Sequence, residues 1–369
     1  MRILMDYRSA LRQRTGVGEY VHRLAGALVP VLPAGDTLTL FSSSWKDRLP
    51  PGAVPGAKRI DARVPVTLLN LAWHRLEWPP AEWFAGPVDI TQSMHPLLLP
   101  SRRAARFVMV HDLYFLDRPE HTSSEIRRDY AALAASHAGR ADGVLVPSEY
   151  TKAQVHERLG VDRERLIVCS PGAPDWPRRD EPQHPGPILF VGTIEPRKNV
   201  TGLLRAYGEL IARNPDAPPL VMAGRMVGQY LTDLRGTIGL QAVIDRAQWL
   251  GYVSDERRLE LYRAASMLVI PSFNEGFGLP VLEAMTLGVP VVASNRGSLP
   301  EVVGDAGSLV DPDDHSGLAA AMNRVLEDPA ERRRMADAGV LRARSYSWDL
   351  AARRLRDAYA AAAATGRRT

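Results

Sequence analysis

The chain has 369 residues, 45% of them hydrophobic and 24% charged. That is the make-up of a soluble globular protein of about two domains, and the scattered 29 Gly and 29 Pro exclude collagen-like or low-complexity chains. A formal net charge of +4 gives no case for nucleic-acid binding, and the single cysteine, Cys169, excludes an internal disulfide or a cysteine-rich zinc site.

In chain order, the first apolar run is Ile3-Leu4-Met5, closed by Asp6. It is too short for a secretory signal, which needs roughly 7–15 apolar residues, and reads as a first strand. No run approaches the ~20 residues of a spanning helix, so a cytoplasmic address is expected. Further strands are predicted at Leu38–Phe41, Asp89–Ser93, Phe107–Val110, Val144–Pro147 and Leu166–Cys169. After position 187 they are predicted at Ile188–Val191, Leu220–Ala223, Ala247–Leu250, Met267–Ile270, Val289–Ala293 and Ser308–Val310. Helical patterns separate them, which predicts parallel sheets with helices on both faces. Twelve strands fit two sheets better than one. Residues 171–187 hold six prolines and two glycines, which no helix or central strand tolerates. Domains are therefore expected at 1–175 and 188–347, with a linker at 176–187 and a last helix at 348–369. Two open sheets so joined would bind ligands at the carboxyl ends of their strands.

The stretch Phe273-Asn274-Glu275-Gly276-Phe277-Gly278-Leu279-Pro280-Val281-Leu282-Glu283 follows a predicted strand. Its glycines allow close backbone approach, and Pro280 suits the first turn of a helix. Glu275 is then placed in the loop and Glu283 one turn into the helix, whose free N–H groups favour an anion. After the strand Ile188–Val191 comes Gly192-Thr193-Ile194-Glu195-Pro196-Arg197-Lys198-Asn199. Only four lysines occur among 46 basic residues. Lys198, beside Arg197 at the start of a predicted helix Val200–Ile211, forms a reasonable diphosphate clamp.

Thr15-Gly16-Val17-Gly18-Glu19-Tyr20 is read as a glycine loop between the first strand and first helix. Its lack of a third glycine at position 21 argues against a dinucleotide fingerprint. His111-Asp112 ends another strand and is a cleft candidate. Asp311, Asp313 and Asp314 read as a helix cap rather than a metal site, and Cys169 as inert. Trp73, Trp78 and Trp83, with Arg75, read either as packing between helices or as a membrane-facing surface.

These stretches resemble the retaining glycosyltransferases of family four, which adopt the GT-B fold. Leu250-Gly251-Tyr252-Val253-Ser254, Val146-Pro147-Ser148-Glu149-Tyr150-Thr151 and Tyr346-Ser347-Trp348 also fit that resemblance. It implies two Rossmann-like domains facing a central cleft, with the last helix crossing back to the first. It further implies a nucleotide-sugar donor on the second domain and a glycan or lipid-linked acceptor on the first. By that analogy Arg197 and Lys198 neutralise the diphosphate and Glu283 takes the ribose hydroxyls. Glu275 and the backbone of Gly276, Phe277, Gly278 and Leu279 hold the sugar, and Tyr252 and Val253 border the base. Gly16 and Gly18 let a loop close over the phosphates, and His111 lies near the reacting bond. No metal or cofactor is implied. The phrase Thr193 to Asn199 is similar to one in bacterial mannosyltransferases that build polysaccharides, which favours GDP-mannose over UDP-sugars. Alternatives are an epimerase or hydrolase of the same fold, or an idle sugar-nucleotide-binding partner. Peripheral contact with an anionic membrane at its cytoplasmic face is also expected.

Overall fold

The computed structural model describes residues 1–11, 16–122, 126–179, 186–226, 230, 234, 236 and 239–366. It divides into two compact units, Met1–Gly172 with Ser347–Thr369, and Ala173–Tyr346.

The first unit is built on seven parallel strands: β1 Arg2–Asp6, β2 Thr37–Ser42, β3 Lys58–Asp61, β4 Ile90–Gln92, β5 Ala105–Met109, β6 Gly143–Val146 and β7 Leu166–Val168. They run in the order β3-β2-β1-β4-β5-β6-β7. Alternate side chains feed two cores, as pleating dictates. Ile3, Met5, Phe107 and Met109 meet the helix Gly16–Leu28 and the chain's last helix, Trp348–Gly366. Val108, Val110, Val144 and Val146 meet the helices Ala131–Arg140 and Glu149–Leu159. Central strands covered on both faces read as continuous apolar runs, which is why β5 and β6 stand out in the sequence. β3 was not predicted. Lys58-Arg59-Ile60-Asp61 has no buried face because it is the sheet's edge, where charge discourages pairing with a further strand.

The last helix is an integral part of this unit. Tyr359 donates its hydroxyl to Gln92 Oε1 at 2.8 Å and packs edge-on against Phe107. Trp348 packs against Tyr20, and a Cβ on Gly172 would stand 2.2 Å from the Trp348 backbone nitrogen. Cys169 is fully buried beneath this helix, and burial pushes its thiol up to about 12, so it is an inert packing group.

The second unit has six parallel strands: β8 Ile188–Val191, β9 Leu220–Ala223, β10 Gln248–Gly251, β11 Met267–Ile270, β12 Val291–Ser294 and β13 Ser308–Val310. Their order is β10-β9-β8-β11-β12-β13. One continuous core includes Leu203, Tyr207, Val281, Leu282 and Met322 from its helices. The boundaries move relative to the expected 175/176 and 347/348. The supposed linker is packed into this unit as far as Arg179, whose side chain donates to the carbonyls of Arg263, Ala265 and Gly288. Trp176 lies against Tyr262. Residues 180–185 of the expected linker lie outside the described residues, as do 367–369 of the tail.

In each unit the first strand is central, the next two lie to one side of it and the rest to the other. Loops leaving β1 and β4, and those leaving β8 and β11, therefore diverge and open a crevice at the carboxyl ends.

Candidate functional site

At the β8/β11 crevice the structure brings together Arg197, Lys198 and Glu275. Lys198 Nζ donates to Glu275 Oε1 at 2.5 Å, and Arg197 Nη1 donates to Glu275 Oε2 at 3.2 Å and to the Asn274 carbonyl at 3.0 Å. Glu195 Oε1 accepts from Arg197 Nη2 at 2.9 Å, and Ser272 Oγ donates to Glu275 Oε1 at 2.7 Å. Glu275 is 6% exposed. Burial alone would raise its carboxyl, but Lys198 and Arg197 outweigh burial and hold it below the usual range. Burial, and then Arg197, pull the Lys198 ammonium below its ordinary value. The two cations expected to grip a diphosphate thus rest on a carboxylate. Glu195, Arg197, Lys198 and Glu275 sum to zero charge, so an entering dianion competes for hydrogen-bond donors that are already organised.

Local sequence explains the placement. Asn199 takes a left-handed φ of 53°, which asparagine tolerates. Its side chain accepts from the Gly202 N–H at 3.1 Å and starts the helix Val200–Arg213. Gly278, at φ 102°, starts the helix Leu279–Leu287, with Pro280 in its first turn. Between them, Ser298 Oγ and N–H both bond the Glu275 carbonyl, and a Cβ on Gly297 would lie 2.7 Å from the Glu275 nitrogen. Ser272, Gly297 and Ser298 were not predicted. Distance in sequence from Glu275 hid Gly297 and Ser298, whereas Ser272 lies three residues before it and carries no motif of its own. The glycines closing β8, β9 and β10 meet in space: a Cβ on Gly224 would stand 1.8 Å from the Gly192 oxygen, and the Gly224 N–H bonds the Gly251 carbonyl.

The other predicted residues are placed separately. Glu283 is held by Arg258 (Nη2 to Oε1, 3.1 Å) and by the Tyr262 hydroxyl (to Oε2, 2.9 Å). Phe277 is buried edge-on against Tyr346, so it offers backbone rather than side chain. Gly276 and Gly278 flank it in sequence, and Leu279 opens the helix that follows. Tyr252 is exposed beneath the Arg225 guanidinium at 5.7 Å, and Val253 packs against the core. Asp314 caps the helix His315–Glu327 by accepting from the Gly317 N–H. In the first unit, Gly16 to Tyr20 form the opening turns of the helix Gly16–Leu28 rather than the loop expected for them. Gly18 must lack a Cβ because the Ser9 oxygen would lie 2.6 Å away. Thr15 lies outside the described residues. His111 is edge-on to Tyr20, and its Nε2 faces the Met94 carbonyl at 3.3 Å, which fixes that nitrogen as the protonated one. Burial pushes His111 down to about 4, so its ring is neutral near pH 7. Of the three tryptophans, Trp73 is buried against Phe41 and Phe84, whereas Trp78 and Trp83 are exposed.

Two Rossmann-like units, each with its crevice, define a GT-B protein. A Glycosyltransferase Family 4 model matches residues 14–175, and a model for Glycosyl transferases group 1 matches residues 177–342. The chain belongs to glycosyltransferase family four. It is 36% identical over 271 residues to the O-antigen chain mannosyltransferase B of Escherichia coli, covering 68% of this chain and 69% of that one. It is 32% identical over 241 residues to the D-inositol 3-phosphate glycosyltransferase of Corynebacterium efficiens, covering 60% of this chain and 57% of that one. Its fold is that of sucrose-phosphate synthase from Thermosynechococcus elongatus, with a TM-score of 0.77, 22% identity and 98% of both chains covered. Among the described residues, no helix is long and apolar enough to cross a membrane.

Proposed function

We propose that this glycosyltransferase moves a hexose, mannose by first choice, from a nucleoside-diphosphate sugar to a glycan or lipid-linked sugar, with retention and without a metal. The observation that carries the reading is the Arg197–Lys198–Glu275 network at the β8/β11 crevice. Cations and a helix start there would take up the charge that develops on a leaving diphosphate. Mannose, and with it GDP as the nucleotide, draws support from the 36% identity to a mannosyltransferase, and UDP-sugars come next. The test is consumption of GDP-mannose and of UDP-sugars with polyprenyl-linked and oligosaccharide acceptors in EDTA. A lengthened glycan with the anomeric configuration of the donor supports the proposal. Free sugar alone, whatever acceptor is added, refutes transfer.

Glu283 would hold the ribose hydroxyls, its carboxylate oriented by Arg258 and Tyr262. Glu283→Gln is expected to weaken GDP about tenfold, the worth of one charge-assisted hydrogen bond, and to leave pyrophosphate unchanged. Calorimetry with both ligands checks this, and equal losses would remove Glu283 from the ribose.

The acceptor end would meet an anionic membrane at its cytoplasmic face. Leu68, Leu71, Leu76, Trp78 and Trp83 are all exposed within sixteen residues. Arg102 and Arg103 lie beside this strip, their N–H groups bonded to Glu82 next to Trp83. Leucine and tryptophan rimmed by arginine match a headgroup boundary. Trp78→Ser with Trp83→Ser should cut co-sedimentation with phosphatidylglycerol vesicles about tenfold and leave the melting temperature unchanged, because neither ring is buried. Undiminished sedimentation would contradict this surface.

A further inference from the structure

The first unit has a second cluster, at its own crevice between β1 and β4, which the predicted site does not use. Asp6 ends β1 and is 3% exposed. Arg8 grips it through Nε (2.9 Å) and Nη2 (2.6 Å) and reaches Asn70 Oδ1 with Nη1. His95, just past β4, turns Nε2 toward Asp6 Oδ2 at 3.5 Å. Its Nδ1 accepts from the Leu97 N–H at 3.3 Å, so Nε2 carries the proton and only weakly engages Asp6. His74 lies edge-on to His95, with ring centres 5.5 Å apart.

His74 is buried, and its Nδ1 faces Asp129 Oδ2 at 3.4 Å. Asp129 is fully buried and also takes Arg128 and Arg75. With Nδ1–H directed to that carboxylate, Nε2 is left as an acceptor, and among the described residues it has no hydrogen-bond partner. Burial, with His95 adding to it, pushes His74 down to about 3, so Nε2 stays unprotonated near neutral pH. The residues that bring the pair together sit on two π-helical turns, Ala72–Leu76 and Ile126–Tyr130. Such turns are rare in proteins and concentrate at functional sites.

Stability does not ask for this arrangement. A buried ion pair is commonly replaced by apolar side chains at no loss, and a buried acceptor without a donor costs free energy. A ligand that both donates and accepts would satisfy it. A hydroxyl does both: it accepts from His95 Nε2–H and donates to His74 Nε2, while Asp6 can accept from a neighbouring hydroxyl. An anion fits poorly, because Asp6 and Asp129 already engage the arginines around them.

We infer that Asp6, His95 and His74 form a binding site for vicinal hydroxyls of a neutral sugar ring, the acceptor of the transfer. This rests on the proposed glycosyl transfer and deepens it by naming residues for the acceptor.

The test is ¹H–¹⁵N NMR of the histidine rings in the full-length protein, titrated with methyl α-D-mannopyranoside, methyl α-D-glucopyranoside, methyl β-D-galactopyranoside, myo-inositol and inorganic phosphate. GDP binding is measured on the same samples. At least one polyol should shift the His74 and His95 resonances. His95→Gln and the conservative Asp6→Asn should each weaken that polyol about tenfold and leave GDP binding unchanged. No shift with any polyol, a shift with phosphate alone, or unaltered polyol binding in both variants would overturn the site. Because the wild-type resonances report directly, a variant that fails to fold does not spoil the test. Loss of GDP binding with the polyol shifts intact would count against the donor reading alone.

Discussion

Lys198→Ala is expected to lower affinity for GDP or UDP at least tenfold, because one charge-assisted hydrogen bond is worth ~1.5–3 kcal/mol. It should also destabilise the protein. Among the described residues Glu275 would then keep Arg197 as its one cation while remaining buried, and breaking a buried pair by removing one partner costs about 3–5 kcal/mol. These two effects separate in the double variant. Lys198→Ala with Glu275→Gln should recover much of the stability, since no buried charge is stranded, but none of the nucleotide affinity. Calorimetric titration and thermal melting of both proteins check this. Recovery of affinity together with stability would mean that Lys198 serves only to neutralise Glu275. The pH dependence has a definite sign. Glu275 is held below its unfolded pKa, so its contribution is fully present above that value, roughly pH 4.3. It is lost as pH falls through the folded value.

The second large effect is structural. Gly224→Ala puts a methyl group 1.8 Å from the Gly192 carbonyl oxygen, and Gly224 itself has a φ of 155° that suits glycine. Both contacts are backbone, so no side chain can move aside. We expect a loss of about 3 kcal/mol or more, or no folded protein, since both backbone strain and overpacking act together. Ala at Gly236, where nothing among the described residues lies within 4 Å, serves as the control and should melt close to the parent. If the two variants melt alike, the loops after β8 and β9 do not approach as described.

Most of the framework could be read from the chain because the strands advertise themselves. Met267–Ile270 and Ile188–Val191 are apolar at every position, since helices cover both faces of their sheet. β3 could not be read, because an edge strand has no such requirement. Arg197, Lys198 and Glu275 were each found by their position after a strand. Their mutual pairing was not foreseen, because it links residues 77 and 78 positions apart. The same limit hid Asp6, His74, His95 and Asp129. None sits in a recognisable phrase, and only the strand order puts β1 beside β4. The glycine stretch after β1 misled for another reason. Gly16 and Gly18 look like turn residues, yet Gly18 is needed for close packing of a helix on the Ser9 carbonyl.

The nucleoside-diphosphate site proposed for the second unit is expected to need no metal. Thermal melting in EDTA with GDP, UDP, ADP, CMP and NAD tests it most directly. A ligand at about 100 times its dissociation constant adds ~2.7 kcal/mol of stability. A clear shift is expected with GDP, or with UDP if the donor is a UDP-sugar, and it should disappear in Lys198→Ala. A shift with NAD alone, or with a nucleoside diphosphate only after a divalent metal is added, would contradict it.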